Sequence, residues 1–155
     1  WIDNGKIGGD AAAMPLADES IDCLFLHNSW EHFEGFSDHA FLFEASRLLK
    51  PGGKVIIIPL DILDTPICAT SPNFWMQSVE KEPMKWPVFD PRFKVSIEED
   101  IKQRLIKRHT LETLSCDLSL VDGLEPTIVS INNPEKYKFQ KNFLVLEKTG
   151  PIEFL

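Results

Sequence analysis

Two short apolar runs, separated by a more polar segment, dominate the first third of the chain. The run from 21 to 26 reads IDCLFL and the run from 54 to 59 reads KVIIIP. Apolar residues at both alternating positions are typical of strands in a parallel sheet that is covered on both faces. We therefore predict two central strands, with His27 and Asn28 forming the polar exit of the first.

The segment between these runs has the spacing of an amphipathic helix. Its apolar residues recur at i, i+4, i+7 and i+8, and they are Phe41, Ala45, Leu48 and Leu49. Ser37 stands where a helix N-cap is expected, and the Pro-Gly-Gly sequence at 51–53 should end the helix. Strand, helix and strand in this order predict a right-handed crossover between neighbouring parallel strands.

The second half of the chain predicts two further helices and two closing strands. Ser96-x-x-Glu99 has the form of a capping box, and Ile97, Ile101 and Leu105 would lie on one apolar face of a helix that ends near residue 109. The other expected elements are a helix at 110–123, a strand at 126–131, a turn at 132–134 and a last strand at 137–148.

Composition describes an ordinary globular protein. The 155 residues are 43% hydrophobic and 26% charged, which suits one domain spanning 1–155. The formal net charge of -8 repels nucleic acid, and we interpret the short basic groups around Lys107 and Lys138 as solvated faces. Because of this charge we expect no nucleic-acid partner. No apolar run approaches the roughly 20 residues that cross a bilayer, so we also expect no membrane partner.

The cysteines indicate a reducing compartment. Cys23, Cys68 and Cys116 are odd in number and widely spaced, which does not suit a disulfide framework. Cys23 lies inside the first strand pattern, where we expect a buried and unreactive thiol. We therefore expect a cytoplasmic protein.

The stretch from 9 to 53 combines several short motifs around the two apolar runs. They are Gly9-Asp10-Ala11, Pro15-Leu16, Asp18 to Asp22, Glu31-His32, Glu44 and Arg47 to Gly53. This set resembles the pattern of the small-molecule, type 11-like branch of class I S-adenosylmethionine-dependent methyltransferases. That family has a G-D-A-x-x-x-P-[FL] loop, an acidic spacer ending in [SF]-[FI]-D, a strand that ends near a Glu-His pair, and a helix ending in R-[VL]-L-K-P-G-G. From Asp61 onward the resemblance is loose.

This resemblance implies a fold, a reaction and a cofactor site. The fold is a Rossmann-like, doubly wound α/β sheet, mostly parallel with an antiparallel C-terminal strand, and the reaction is methyl transfer from S-adenosylmethionine to a small molecule. The Asp10 carboxylate would accept the exocyclic amine of adenine while the Ala11 N–H meets a ring nitrogen. His27 and Asn28 would complete the site at the strand end. The alternative for Asp10 is an Asx-turn residue.

The same strand end holds the candidate catalytic residues. Methyl transfer from a sulfonium is an in-line displacement, so the protein mainly positions the reactants, and a base helps when the acceptor is protonated. His32, or else His27, could accept that proton with Glu31 orienting the ring. The alternative is that the Glu-His pair only caps or braces the next helix. We predict no metal site, because neither an H-E-x-x-H pattern nor paired cysteines accompany these histidines.

One departure from the family bears on activity. No glycine-rich turn of the G-x-G-x-x-G kind precedes Asp10, and the chain begins with Trp1. We therefore expect the C-terminal portion of such an enzyme, truncated at its N-terminus. A non-catalytic α/β interaction module is the alternative function. The missing neighbour strand would leave the edge of 21–26 open, and we expect self-association through that edge or its capture by residues 1 to 8.

The segment from 59 to 95 is irregular in pattern. It contains several prolines and large aromatics without a helical or strand period. In the resembling family this region often covers the substrate, so it is predicted to be a lid or pocket wall. A packed surface excursion anchored by its aromatics is the alternative.

Overall fold

A computed structural model describes residues 2–3, 5–75, 87–130 and 142–150. The helices and strands are β1 (Ile2–Asp3), β2 (Lys6–Ile7), β3 (Ile21–His27), α1 (Ser37–Leu48), β4 (Leu49–Ile58), β5 (Ile67–Thr70), α2 (Pro72–Trp75), β6 (Lys94–Ile97), β7 (Ile106–Arg108), α3 (Leu111–Ser119), β8 (Leu124–Ser130) and β9 (Asn142–Lys148). A 3₁₀ turn also spans Trp30–His32.

The main sheet has the strand order β3-β4-β9-β8. β3 and β4 are parallel neighbours, with Leu24 opposite Val55 and Leu26 opposite Ile57, and α1 connects them. β9 runs antiparallel to both β4 and β8. The predicted crossover and the antiparallel C-terminal strands are therefore confirmed, as is the Rossmann-like α/β class.

The core lies on one face of this sheet. Val55, Ile57, Leu144 and Leu146 are completely buried there, against apolar residues of α1 and α3. The four residues predicted to form the apolar stripe of α1 are all buried. The predicted N-cap is wrong, because Ser37 is the first helical residue and Phe36 precedes it without a side-chain cap bond.

The other face of β3 is open to solvent. Phe25 is 63% exposed, and Cys23 and His27 on the same face are also exposed. The expectation of a strand covered on both faces, with a buried Cys23, is therefore wrong for the described residues. Apolar residues on both faces correctly indicated a parallel strand. They did not indicate whether helices or loops cover each face of it.

β3 is also an edge strand within the part of the chain that the structure describes. It pairs only with β4 there. The predicted capture of this edge by residues 1 to 8 is wrong for the described residues of that segment, because Ile2–Asp3 pairs with Lys6–Ile7 as a separate hairpin. The open edge itself was expected.

A second sheet, here called the accessory sheet, consists of β5, β6 and β7. β5 lies in its centre, parallel to β6 and antiparallel to β7. The helix predicted from 97 to 109 is therefore wrong, since this segment supplies the end of β6 and all of β7. Pairing with β5 outweighed the local helical pattern, because propensity is a weak prior against tertiary contacts.

The other predictions for the second half have mixed outcomes. The helix expected at 110 is confirmed as α3, and Thr110 caps it with a reciprocal bond to Thr113. The two closing strands are confirmed as β8 and β9. The predicted turn at 132–134 and the residues at 137–141 of the last strand lie outside the described residues.

Candidate functional site

The candidate site begins where β3 ends. Asn28 has a φ of 50°, in the left-handed region that asparagine tolerates better than most residues, and its N–H donates to the carbonyl of Ile58 on β4. The chain therefore turns sharply over the carboxyl ends of both parallel strands. This is the edge at which open α/β sheets bind their ligands.

His27 and Asn28 contact each other at this edge. The amide Nδ2 of Asn28 lies 3.2 Å from Nε2 of His27, and the imidazole stacks on Phe25 with ring centroids 6.3 Å apart. An amide nitrogen only donates, so it uses the lone pair of His27 Nε2. His27 is thus placed to shape the strand end, and its Nε2 is less available as a base.

His32 lies in the 3₁₀ turn that follows. Its Nδ1 is 2.8 Å from the carbonyl oxygen of Leu105, and its Nε2 is 3.7 Å from Glu31 Oε1. A carbonyl oxygen only accepts, so Nδ1 carries the proton and Nε2 of the neutral ring carries the lone pair. The ring is 30% exposed, and this geometry suits a base that faces solvent or substrate.

Asp10 and Ala11 occupy the loop before β3. The Oδ1 of Asp10 accepts the N–H of Ala12 at 2.9 Å, and its carbonyl accepts the N–H of Ala13 at 3.0 Å. The Asx turn that sequence left as the alternative is therefore present. Asp10 is exposed, and a carboxylate keeps further acceptor sites, so the residue fits the adenine edge of S-adenosylmethionine as well. Ala11 is half-buried against the main core.

The accessory sheet and the residues just before β7 contact the loop at 28–36, which connects β3 to α1. The sequence did not indicate this contact. Arg104 pairs with Glu34, and Lys107 donates to the carbonyl of Gly35 at 2.8 Å. The sequence pattern predicts a solvated helical face for these two cations, but Lys107 is only 3% exposed. Its burial beside Asp38 and the Phe93 ring left no signal in the local sequence.

Behind the loop, a buried ionic cluster joins α1, β7, α3 and the segment before β6. The Arg92 guanidinium bonds both oxygens of Asp90 and, through Nη1, the Oδ1 of Asp117 at 2.6 Å. His39 Nε2 is 2.8 Å from that same Oδ1. The ammonium of Lys107 lies 2.8 Å from Asp38 Oδ2. Hydrogen bonds to Arg92 hold the pKa of Asp90 below its usual range against the opposing effect of burial.

Three donor atoms of this cluster are spaced as metal ligands could be. They belong to Asp38, His39 and Asp117. However, Arg92 Nη1 and Nη2 lie 2.6 and 3.2 Å from the Asp117 and His39 donors, so the guanidinium already supplies the cation at this place. The geometry describes a structural ion pair network rather than a metal centre.

A separate cleft of about 760 Å³ lies at the opposite end of the sheet. Glu19, Asp122 and Glu125 line it together with Lys148, whose Nζ donates to the carbonyl of Leu49. These residues stand at the amino ends of the parallel strands. Ligands of open α/β sheets bind at the carboxyl ends, so this cleft is distinct from the candidate site.

The chain resembles known proteins both in sequence and in fold. The sequence profile of the family described as "Methyltransferase domain" matches residues 3–57. The malonyl-[acyl-carrier protein] O-methyltransferase of Methylococcus capsulatus is 43% identical over 51 residues, which are 33% of this chain and 18% of that protein. The aligned stretch thus covers well under two thirds of the length of that relative.

Solved structures share the fold over most of the chain. A Burkholderia thailandensis 1,6-didemethyltoxoflavin-N1-methyltransferase, solved with S-adenosylhomocysteine, matches 90% of this chain and 48% of its own with a TM-score of 0.52 and 15% identity. A Haemonchus contortus phosphoethanolamine N-methyltransferase matches 91% of this chain and 36% of its own, with a TM-score of 0.54 and 14% identity. Residues 3–57 are thus similar in sequence to the methyltransferase-domain family, and the chain shares the fold of solved S-adenosylmethionine-dependent methyltransferases.

Proposed function

We propose that this chain contributes to methyl transfer from S-adenosylmethionine to a small molecule. S-adenosylmethionine is the cofactor of the class, as the resemblance implied. The observation that carries the proposal is that the family match covers β3 and most of β4, and that His27, Asn28 and His32 follow the carboxyl end of β3. The acceptor is proposed to bind over this edge.

The residues have distinct proposed roles. Asp10 and Ala11 hold the adenine edge, while His27 and Asn28 shape the cofactor site at the strand end. His32 accepts the proton of a protonated acceptor at Nε2, because its Nδ1 is already committed to Leu105. When bound, the cofactor supplies a methyl group on a sulfonium that is open to in-line attack.

Ligand binding tests this proposal directly. Isothermal titration and thermal unfolding with S-adenosylhomocysteine should show binding, and saturation at 100 times the dissociation constant should stabilise the fold by about 2.7 kcal/mol. Asp10→Ala should weaken binding about tenfold, the cost of one hydrogen bond to a charged group. Asp64→Ala is the matched control, since Asp64 is an exposed acidic residue in a different loop.

The second candidate is a non-catalytic interaction module on the same scaffold. The exposed Phe25 beside the open edge of β3 favours it, because unpaired apolar edges invite pairing. Absence of any binding or stabilisation by S-adenosylhomocysteine at millimolar concentration would favour the module over the methyltransferase.

The same edge is the proposed site of homo-oligomer formation. Strand β3 offers seven residues, Ile21–His27, without the lysine or proline that blunts natural edges. Sedimentation at increasing concentration should show self-association, and Phe25→Lys should reduce it. Phe43→Lys, at a residue 55% exposed on α1, is the control and should leave it unchanged.

The remaining proposals concern domain organisation and location. We propose one domain over 1–155, in which 59–95 covers the acceptor; this segment supplies β5, α2 and the start of β6. We also propose a cytoplasmic location, which the three free cysteines support. None of the helices in the described part of the chain has the length and apolar content that crossing a bilayer requires.

A further inference from the structure

We propose that the accessory sheet, together with the two residues that lead into β7, Arg104 and Leu105, positions His32, with Arg104 and Lys107 as the positioning residues. This inference rests on the proposed role of His32 as the base. It assigns a task to a part of the chain that the family match over 3–57 does not include.

The first step is the fixed tautomer of His32. The Leu105 carbonyl, 73 residues away in sequence, lies 2.8 Å from Nδ1. A neutral imidazole with its proton on Nδ1 presents the Nε2 lone pair, so this one contact selects which nitrogen accepts a proton. Without it, either nitrogen could hold the proton and the ring could rotate.

The second step is that the Leu105 carbonyl is itself held in place. Leu105 is 1% exposed and packs with Cys68 and Phe93 in the small core of the accessory sheet. The hydroxyl of Thr70 on β5 donates to the carbonyl of Arg104 at 2.6 Å, and Ala69 pairs with Ile106. The acceptor of His32 therefore stands directly before β7, in a buried and hydrogen-bonded segment rather than in a loose loop.

The third step is that two cations, Lys107 on β7 and Arg104 just before it, hold the loop that carries His32. Arg104 pairs with Glu34. Lys107 donates to the carbonyl of Gly35 and to Asp38 Oδ2, both at 2.8 Å, and its ammonium lies 5.4 Å from the centre of the Phe93 ring. These contacts fix the loop on the side of His32 that leads into α1.

Two further hydrogen bonds, one between backbone groups and one from backbone to a side chain, close the same arrangement. The N–H of Gly35 donates to the carbonyl of Val88 at 2.8 Å, and the N–H of Val88 donates to Glu34 Oε2 at 3.1 Å. Gly35 has a φ of 54°, and a Cβ there would lie 2.8 Å from Val88 Cγ1. The loop thus packs closely against Val88, and the positive φ of Gly35 favours glycine at this position.

The test is the protonation pattern of the His32 ring by long-range ¹H–¹⁵N correlation NMR at pH 8, with assignment by loss of signal in His32→Gln. The unmodified chain should show Nδ1 protonated and Nε2 bare. Arg104→Gln and Lys107→Met should shift the ring toward the mixture, dominated by protonated Nε2, of a free imidazole. Arg108→Gln is the matched control on the same strand, where Arg108 lies 3.8 Å from Glu98 and makes no described contact with the loop.

Lys107→Met leaves Asp38 buried without its cation, so this variant can fail to fold. The double variant Asp38→Asn/Lys107→Met removes both charges and keeps the test open, and Arg104→Gln provides a second, half-exposed position. A native ring protonated on Nε2, or variants that keep the unmodified pattern, would overturn the proposal. The measurement needs no cofactor or acceptor, so its outcome is independent of the ligand titration that tests the proposed function.

Discussion

The guanidinium of Arg47 and the carboxylate of Glu44 form a two-point ion pair on α1, with Nε 2.9 Å from Oε2 and Nη2 2.6 Å from Oε1. The pair also holds the loop before β3. Glu44 accepts the N–H of Met14 at 2.7 Å, and Arg47 donates to the carbonyls of Met14 and Leu16. Hydrogen bonds therefore join the helix part and the loop part of the family pattern to each other.

Arg47→Lys should loosen this loop, because an ammonium cannot bond two carboxylate oxygens and two carbonyls in the geometry of a guanidinium. The urea midpoint should fall, and protease cleavage between residues 10 and 18 should become faster. Lys50→Met is the control, since the side chain of Lys50 pairs with Asp22 on an exposed surface of the described part of the chain. Equal effects of the two substitutions would show that Arg47 has no special role.

Stability should fall in acid through the buried Asp38. Burial alone would raise its pKa, but the neighbouring His109 ring and the charge of Lys107 lower it to about 2, from 3.8 in the unfolded chain. Because the folded pKa is the lower one, the contribution is complete above about pH 4 and is lost as the pH falls toward 2. The loss should be about 2 kcal/mol.

Urea unfolding at pH 6, 4 and 3 measures this dependence. The Asp38→Asn/Lys107→Met variant should show a weaker decline over the same range, while the decline caused by Asp90 remains. An unchanged slope in the double variant would show that other carboxyl groups carry the acid sensitivity.

Gly53→Ala should destabilise the fold by about 1 to 3 kcal/mol, the usual cost of overpacking. A Cβ at this position would lie 2.8 Å from the carbonyl oxygen of Lys50 and 3.1 Å from that of Asp22. Both are backbone atoms at the start of the β3–β4 pairing, so they cannot move aside easily. Gly150→Ala, which meets no atom within 4 Å, should change the urea midpoint little.

The three cysteines should react at different rates. Cys23 and Cys116 are exposed, whereas Cys68 is buried, and burial raises the pKa of its thiol to about 11 despite the opposing charge of Lys107. A thiol reagent at pH 8 should modify two cysteines quickly and the third only on unfolding. Mass spectrometry of the labelled peptides identifies them, and rapid labelling of Cys68 would contradict the buried position.

The sequence predicted those parts of the fold that depend on local pattern. The strand at 21–26 and the helix that buries Phe41 and Ala45 followed from apolar periodicity. The strand expected from 54 is the second part of β4, which begins at Leu49, so the Pro-Gly-Gly sequence predicted as the turn before it lies within the strand. The same reasoning, with the family resemblance, selected His27, Asn28 and His32 as residues at the strand end. Local spacing is sufficient there because each element is continuous in the chain.

Only the tertiary structure decided the accessory sheet and what it contacts. Ser96-x-x-Glu99 and the apolar residues after it favour a helix locally, but pairing with Ile67–Thr70 makes strands of the segment. The bond between His32 and Leu105, and the burial of Lys107 beside Asp38, join positions about 70 residues apart. Such contacts depend on which surfaces pack together in the folded chain. The periodicity of a single segment cannot predict them.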